Sequence, residues 1–451
     1  RAKPDGRTIR IHVAVIKSTN PQPALDPILF LDGGPGFAAI NDLVSAGLSF
    51  QAFRGNRDMI VFDQRGTGKS QPALTCPELY DAEAALAAAL LSQADETEAY
   101  KNAIQVCKDR LVKQGIQLDA YNTPASAADA DDLRRVLGIE KWNLYGYSYG
   151  THLGMTILRD YPEGVRSVVL DSVWPLQMDF SEVNHINTQG IYEHLFERCA
   201  VDVKCNAAYP HLENTFYETI ARLNEKPQNV TVVTYFGQNI MPGTEIPMDG
   251  SRFIDTVFEM LSSDSAIPYI PKLIETTAAG DNTLLAQYNA TTMIAHPEFY
   301  AAGMHMSAIC SDQSAFPLQT SEQIAAEKIN PLLLDPAMAN KKSVAELCQL
   351  WGSAQESLLE HQSLRSDIPA LILAGEFDPS TPPTWGSLAA KTLSKGYFVE
   401  FPNVGHGVFW SDASTNGCVG RIVSAFYEKP AVQPDLSCVS KIKVRGFITT
   451  P

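Results

Sequence analysis

The chain has 451 residues, more than a single hydrophobic core usually serves, so one domain with an insertion, or two domains, is the starting expectation. Its 51 acidic and 35 basic residues leave a formal net charge of -16. That charge excludes nucleic acid as a partner, because binding phosphates needs clustered Lys and Arg. With 45% hydrophobic residues and no apolar run of bilayer-spanning length, the composition is that of a globular protein without a membrane span.

In chain order, Ile9 to Ile16 alternates as a half-buried strand, and Ile28 to Leu31 and Met59 to Phe62 are short apolar runs ending in Gly-rich turns. Asp81 to Leu91 is Ala-rich and suits a surface helix. Asp129 to Leu137 has helical spacing after the start signals Thr123, Pro124 and Ser126, and Gly138 stops it. Trp142 to Tyr145 follows as a strand, Tyr149 to Asp160 as a helix and Ser167 to Leu170 as a further buried strand. Beyond Asp171 the pattern turns to amphipathic stretches, such as Ile191 to Ala200 and Arg252 to Leu261, with a hairpin expected around Val230 to Ile240. At Ile368 the strand pattern returns: a strand at Ala370 to Ala374, a helix from Thr384 to Leu393, a strand at Tyr397 to Phe401 and a helix from Val419 to Tyr427.

Such alternation predicts an α/β class chain, a mostly parallel doubly wound sheet with an inserted, largely helical cap. The expected division is a core over 1–172, a cap over 173–366, and the remainder of the core over 367–451.

Gly146-Tyr147-Ser148-Tyr149-Gly150 is a G-x-S-x-G motif between an expected strand and an expected helix, the context a nucleophile elbow requires. Asp378 follows a later strand in Gly375-Glu376-Phe377-Asp378-Pro379, and His406 follows the last in Val404-Gly405-His406-Gly407. The order Ser, Asp, His fits the α/β-hydrolase fold, with Ser148 as nucleophile, His406 as general base and Asp378 fixing the imidazole tautomer. Glu376 is the rival acid. Asp32-Gly33-Gly34-Pro35-Gly36 stands where such folds place a loop donating one oxyanion N–H, here that of Gly34, with the N–H of Tyr149 as the second donor. Gly68-Lys69-Ser70 invites a phosphate-loop reading but fails on spacing, because Asp63 stands where the first glycine would have to be. No cofactor is expected.

No pair among the eight cysteines has C-x-x-C spacing, which disfavours a metal site. Neighbours along the chain suggest four local disulfides: Cys76 with Cys107, Cys199 with Cys205, Cys310 with Cys348, and Cys418 with Cys438. Spacing does not fix connectivity. Bridges would make the protein secreted or periplasmic, and the chain opens at Arg1 as if a signal peptide had been removed.

Together Gly33-Gly34-Pro35-Gly36, Asp63-Gln64-Arg65-Gly66-Thr67-Gly68-Lys69-Ser70, the Ser148 motif and Gly405-His406-Gly407 resemble the prolyl aminopeptidase and tripeptidyl aminopeptidase branch of the α/β-hydrolases. Prolyl aminopeptidases carry His where this chain has Asp32, and the cysteines with Cys310-Ser311-Asp312 look more like the exported tripeptidyl type. The resemblance implies a serine exopeptidase that takes a peptide or small-molecule substrate with a free amine, bound by acidic cap residues. Asp312 is the first candidate for that role, and Glu193 and Glu197, on one helix face, are the next. The alternative is a carboxylesterase or amidase with the same triad. Oligomeric state is not legible in the sequence.

Overall fold

The structure, a computed structural model, describes residues 6–45, 51–87, 93–236, 239–289, 299–313, 329–353, 358–411 and 413–450. Among the described residues, seven strands form the main sheet: β1 (Val13–Ile16), β2 (Ile28–Leu31), β3 (Met59–Phe62), β4 (Trp142–Tyr147), β5 (Val165–Asp171), and, numbered after the hairpin strands β6 (Gln228–Phe236) and β7 (Asn239–Met248), β8 (Ala370–Gly375) and β9 (Gly396–Phe401). Their order is β1-β3-β2-β4-β5-β8-β9, with β1 antiparallel to β3 and every other pairing parallel. The central strands read as unbroken apolar runs because both faces are covered.

Alternate residues serve opposite faces. Leu29, Leu31, Leu144, Leu170 and Ile372 pack on one side beneath the helices α3 (Thr123–Val136), α4 (Tyr149–Asp160) and α11 (Pro383–Ala390). Phe30, Val61, Tyr145, Val169 and Leu371 pack on the other against α1 (Ala39–Ser45) and α12 (Cys418–Glu428). This period of two follows from strand geometry.

Between β5 and β8 the chain leaves the sheet. The helices α5 (Phe180–Val201), α6 (Leu212–Glu225), α7 (Gly250–Leu261) and α8 (Ile270–Ala278) enclose a core of their own with the β6–β7 hairpin, built on Tyr192, Phe216, Ile220, Phe253, Val257 and Ile270. Two more helices of this stretch, α9 (Ala302–Gln313) and α10 (Pro331–Trp351), share another core with α2 (Gln93–Lys113) through Met304, Cys310, Trp351, Cys107 and Leu111.

Several elements differ in extent from the sequence pattern. The first strand shortens to Val13–Ile16, with Arg10 bridging to Gln71 instead. α3 begins earlier than its apolar spacing, because the side chain of Asn122 caps it by accepting from the Ala125 N–H and Pro124 suits a first turn. The stretch 191–200 is part of the longer α5, since its Tyr192, Leu195, Phe196 and Cys199 face continues a helix already running from Phe180. The Ala-rich helix is Pro77–Ala87, and its expected continuation over 88–91 lies outside the described residues.

All eight cysteines are bridged, in the neighbour order expected: Cys76–Cys107, Cys199–Cys205, Cys310–Cys348 and Cys418–Cys438.

Candidate active site

β4 ends at Tyr147, and Ser148 turns the chain into α4 with φ 54° and ψ -123°, a conformation that non-glycine residues rarely adopt. The two motif glycines are there for steric reasons. A Cβ on Gly146 would come within 2.4 Å of the Gly150 carbonyl oxygen, and one on Gly150 within 1.9 Å of the Leu31 carbonyl oxygen. Further bonds pin the turn: the Ser148 N–H donates to the Asp171 carbonyl (3.0 Å), and Thr151 Oγ1 donates to the Ser148 carbonyl (2.6 Å).

Because β4, β8 and β9 are parallel, their carboxyl ends share one sheet edge, and the three expected side chains meet there. His406 Nε2 lies 3.0 Å from Ser148 Oγ, and His406 Nδ1 lies 2.9 and 3.0 Å from the two oxygens of Asp378. Asp378 is fully buried and fixed by the N–H groups of Ser380 (3.0 Å) and Thr381 (2.8 Å) and by the Thr381 hydroxyl (2.8 Å). Glu376 turns away, to His194 Nε2 (3.0 Å) and Arg198 on α5 and to the Asn403 N–H (2.7 Å).

Burial works against charging His406, but Asp378, Asp171 and Glu259 more than offset it and raise its pKa above the ordinary imidazole value. Asp171 also braces the histidine loop, accepting from the N–H groups of Val408 (2.8 Å) and Phe409 (2.9 Å) and from the Tyr145 hydroxyl (2.8 Å). Burial still pushes its carboxyl up to about 6. The arrangement can move a proton from a hydroxyl to an imidazole held in one tautomer by a carboxylate.

The loop after β2 packs against this centre: a Cβ on Gly33 would lie 3.1 Å from Ser148 Cβ. Gly34 has φ 107° and is followed by a cis peptide to Pro35. Asp32 Oδ1 accepts from the Gly33 N–H (2.8 Å), and Gln64 Nε2 donates to the Asp32 carbonyl (3.2 Å). The Asp63-to-Ser70 run, rejected above as a phosphate loop, is a brace for this region. Asp63 accepts from the N–H groups of Ile40 (3.1 Å) and Lys69 (2.9 Å), and Arg65 forms a two-pronged bond with Asp129, both at 2.7 Å. From the β5–β8 stretch, His305, kept neutral by burial, donates Nδ1–H to the Pro35 carbonyl (3.0 Å).

Ser148 and His406 open on a cavity of about 480 Å³, lined also by Gly34, Phe37, Tyr147, Trp410 and Ser380, and by Phe258, Glu259, Ser262, Ser263 and Asp264 from the end of α7 and the loop after it. α7 docks directly on the histidine loop. The His406 N–H donates to the Ser262 carbonyl (3.1 Å), and a Cβ on Gly405 would strike the Leu261 carbonyl oxygen at 2.3 Å. Glu259 reaches water through the cavity, yet the surrounding protein desolvates it enough to hold its carboxyl above the usual range.

The structure does not bring the three expected amine-binding residues to this cavity. Asp312 is buried, 2% exposed, and accepts from the Thr123 hydroxyl at 2.8 Å, so it is corrected from a pocket wall to an interior contact. Glu193 and Glu197 are corrected likewise: both are exposed on α5, outside the cavity lining, because the opposite face of that helix carries its core residues. Among the described residues, the acidic groups lining the cavity are Glu259 and Asp264. The signal for Glu259 was only that it stands one turn from Asp255 on the polar side of α7, a pattern common to surface helices.

A sequence profile described as alpha/beta hydrolase fold matches residues 26–226, which hold Ser148, and one described as TAP-like protein matches 335–438, which hold Asp378 and His406. The chain has the α/β-hydrolase fold and is a hydrolase. Serine protease Hip1 of Mycobacterium tuberculosis is 23% identical over 449 residues, covering 94% of this chain and 82% of that protein. The tripeptidyl aminopeptidase of Streptomyces lividans is 32% identical over 186 residues, covering 38% and 33%. The proline iminopeptidase of Neisseria meningitidis is 27% identical over 148 residues, 33% of each chain.

Proposed function

We propose that this hydrolase is a serine exopeptidase that releases a residue or short peptide from a free N-terminus. The observation that carries the reading is the Ser148–His406–Asp378 hydrogen-bond series opening on a cavity walled by Glu259. Ser148 Oγ attacks the scissile carbonyl carbon while His406 Nε2 takes its proton. The oxyanion rests on the N–H groups of Gly34 and Tyr149, each such donor worth on the order of 3 kcal/mol. As the C–N bond breaks, His406 gives the proton to the leaving amine. A water, deprotonated by the same imidazole, then cleaves the acyl ester and restores Ser148.

An ammonium entering the cavity gives up hydration that only carboxylates or carbonyls replace, and Glu259, with Asp264, stands where the insert between β5 and β8 acts as a cap over the nucleophile. The names of the Streptomyces and Neisseria relatives support the aminopeptidase reading. The four bridges support an oxidising compartment outside the cytosol, secreted or periplasmic.

Paired peptide arylamides with free and acetylated N-termini test this. Acetylation is expected to lower kcat/KM about fivefold, the upper end for an ion pair with a carboxylate that still meets water, and Glu259→Gln to remove most of that preference. Equal cleavage of both, with faster turnover of simple esters, would pass the site to the carboxylesterase or amidase alternative.

A further inference from the structure

Behind the nucleophile turn, one buried hydroxyl joins three separate segments. Tyr149, the first residue of α4, turns its ring inward, 1% exposed, and its hydroxyl lies 2.7 Å from Thr123 Oγ1. Thr123, the first residue of α3, lies 2.8 Å from Asp312 Oδ2 on α9. A carboxylate oxygen only accepts, so Thr123 donates to Asp312 and its lone pair receives the Tyr149 O–H. The series therefore runs in one direction, from the residue after Ser148 to a carboxylate in the insert.

A disulfide stands beside its far end. Asp312 is two residues from Cys310, whose bridge to Cys348 ties α9 to α10. Beside it, His152 Nε2 is 4.0 Å from the same Asp312 oxygen, and its ring lies parallel to that of Tyr149 and against Trp174, with centroids 4.6 Å apart in the latter pair. Burial drives the His152 pKa down to about 3, so its ring is a neutral packing surface at working pH.

The geometry points to Thr123 and Asp312 as positioning residues that aim the Tyr149 N–H at the oxyanion through the Tyr149 side chain. The inference rests on the reading of Ser148 as nucleophile and the Tyr149 N–H as oxyanion donor. A strained turn keeps its shape only where its surroundings over-determine it, and Ser148 is such a turn. An oxyanion donor acts only within about 2.7–3.1 Å of the developing charge, so a small rotation of the Tyr149 peptide costs rate without costing substrate affinity. Asp312 thereby gains a role different from the amine contact expected of it, and the insert acts on the rate through the interior as well as through its cavity wall.

Thr123→Val removes the hydroxyl at nearly constant volume, Thr123→Ser keeps it, and Tyr149→Phe cuts the series at its other end with the main chain intact. For each, kcat and KM are measured on a peptide arylamide, together with the Ki of a peptide aldehyde, which forms the tetrahedral adduct, and of the product peptide, which does not. Thr123→Val and Tyr149→Phe are expected to lower kcat about tenfold, a fraction of the ~100- to 1000-fold cost of losing a donor outright. The aldehyde should weaken in step while KM and product Ki stay within about twofold, and Thr123→Ser should stay close to wild type. Should Thr123→Val fail to fold, Tyr149→Phe carries the same comparison. Unchanged kcat and aldehyde affinity in the variants that fold, or a loss shared by Thr123→Ser, would overturn the positioning role. Ser148→Ala separates the two levels: an active Ser148→Ala enzyme defeats the underlying reading, whereas an inactive one beside a wild-type-like Tyr149→Phe defeats only this inference.

Discussion

Ser148, Asp378 and His406 stand on turns at the ends of β4, β8 and β9, where close backbone contacts at Gly146, Gly150, Gly375 and Gly405 leave the chain little choice of path. Glu259 and Asp264 stand on a helix end and loop of the insert, held by apolar packing on the far side of α7 and by the docking of its last turn on His406. The two regions do different work. The sheet edge brings Ser148, His406 and Asp378 to within hydrogen-bond distance, whereas the insert supplies charge and a wall to the cavity. The two meet where the last turn of α7 docks on the histidine loop, at the Ser262 carbonyl and Gly405, so a change in the insert's packing there reaches His406 as well.

That contrast predicts unequal mutational effects. The largest belongs to the sheet edge: Asp378→Asn keeps the side-chain shape but favours the wrong imidazole tautomer, so kcat is expected to fall about ten-thousandfold with KM little changed. Steady-state kinetics check this, and a loss below tenfold would shift the acid to another residue. The smaller effect belongs to the insert. His406 must be neutral to accept the Ser148 proton, and its pKa is raised, so kcat/KM is expected to fall as pH drops through a value above the model-peptide ~6.5. Glu259 is one of the negative groups that raise it, so Glu259→Gln should move this acid limb to lower pH. A limb unmoved in that variant would mean that α7 does not act on His406 electrostatically.

The same contrast explains what could be read from the sequence. That Ser148, Asp378 and His406 would meet at one sheet edge was legible because each stands in a local pattern: a strand, then glycines that admit neighbouring carbonyls. The disulfides match the neighbour order that the sequence suggested without fixing. Asp312 and Glu259 could not be told apart in the same way. Helical periodicity shows which face of a helix is apolar, but not whether a carboxylate on the other face meets solvent, a cavity or, as Asp312 does, the hydroxyl of a residue far away in the chain. The Asp63-to-Ser70 run failed as a nucleotide motif on spacing, and its purpose as a brace emerged only once β3 lay beside β2.

The claim on which the rest depends is that Ser148 carries the acyl group, and mass spectrometry of the labelled protein tests it most directly. A fluorophosphonate should add one equivalent to the folded enzyme, peptide mapping should place it on Ser148, and both labelling and peptide turnover should vanish in Ser148→Ala. Labelling at another residue, or peptide turnover that survives Ser148→Ala, would contradict the account.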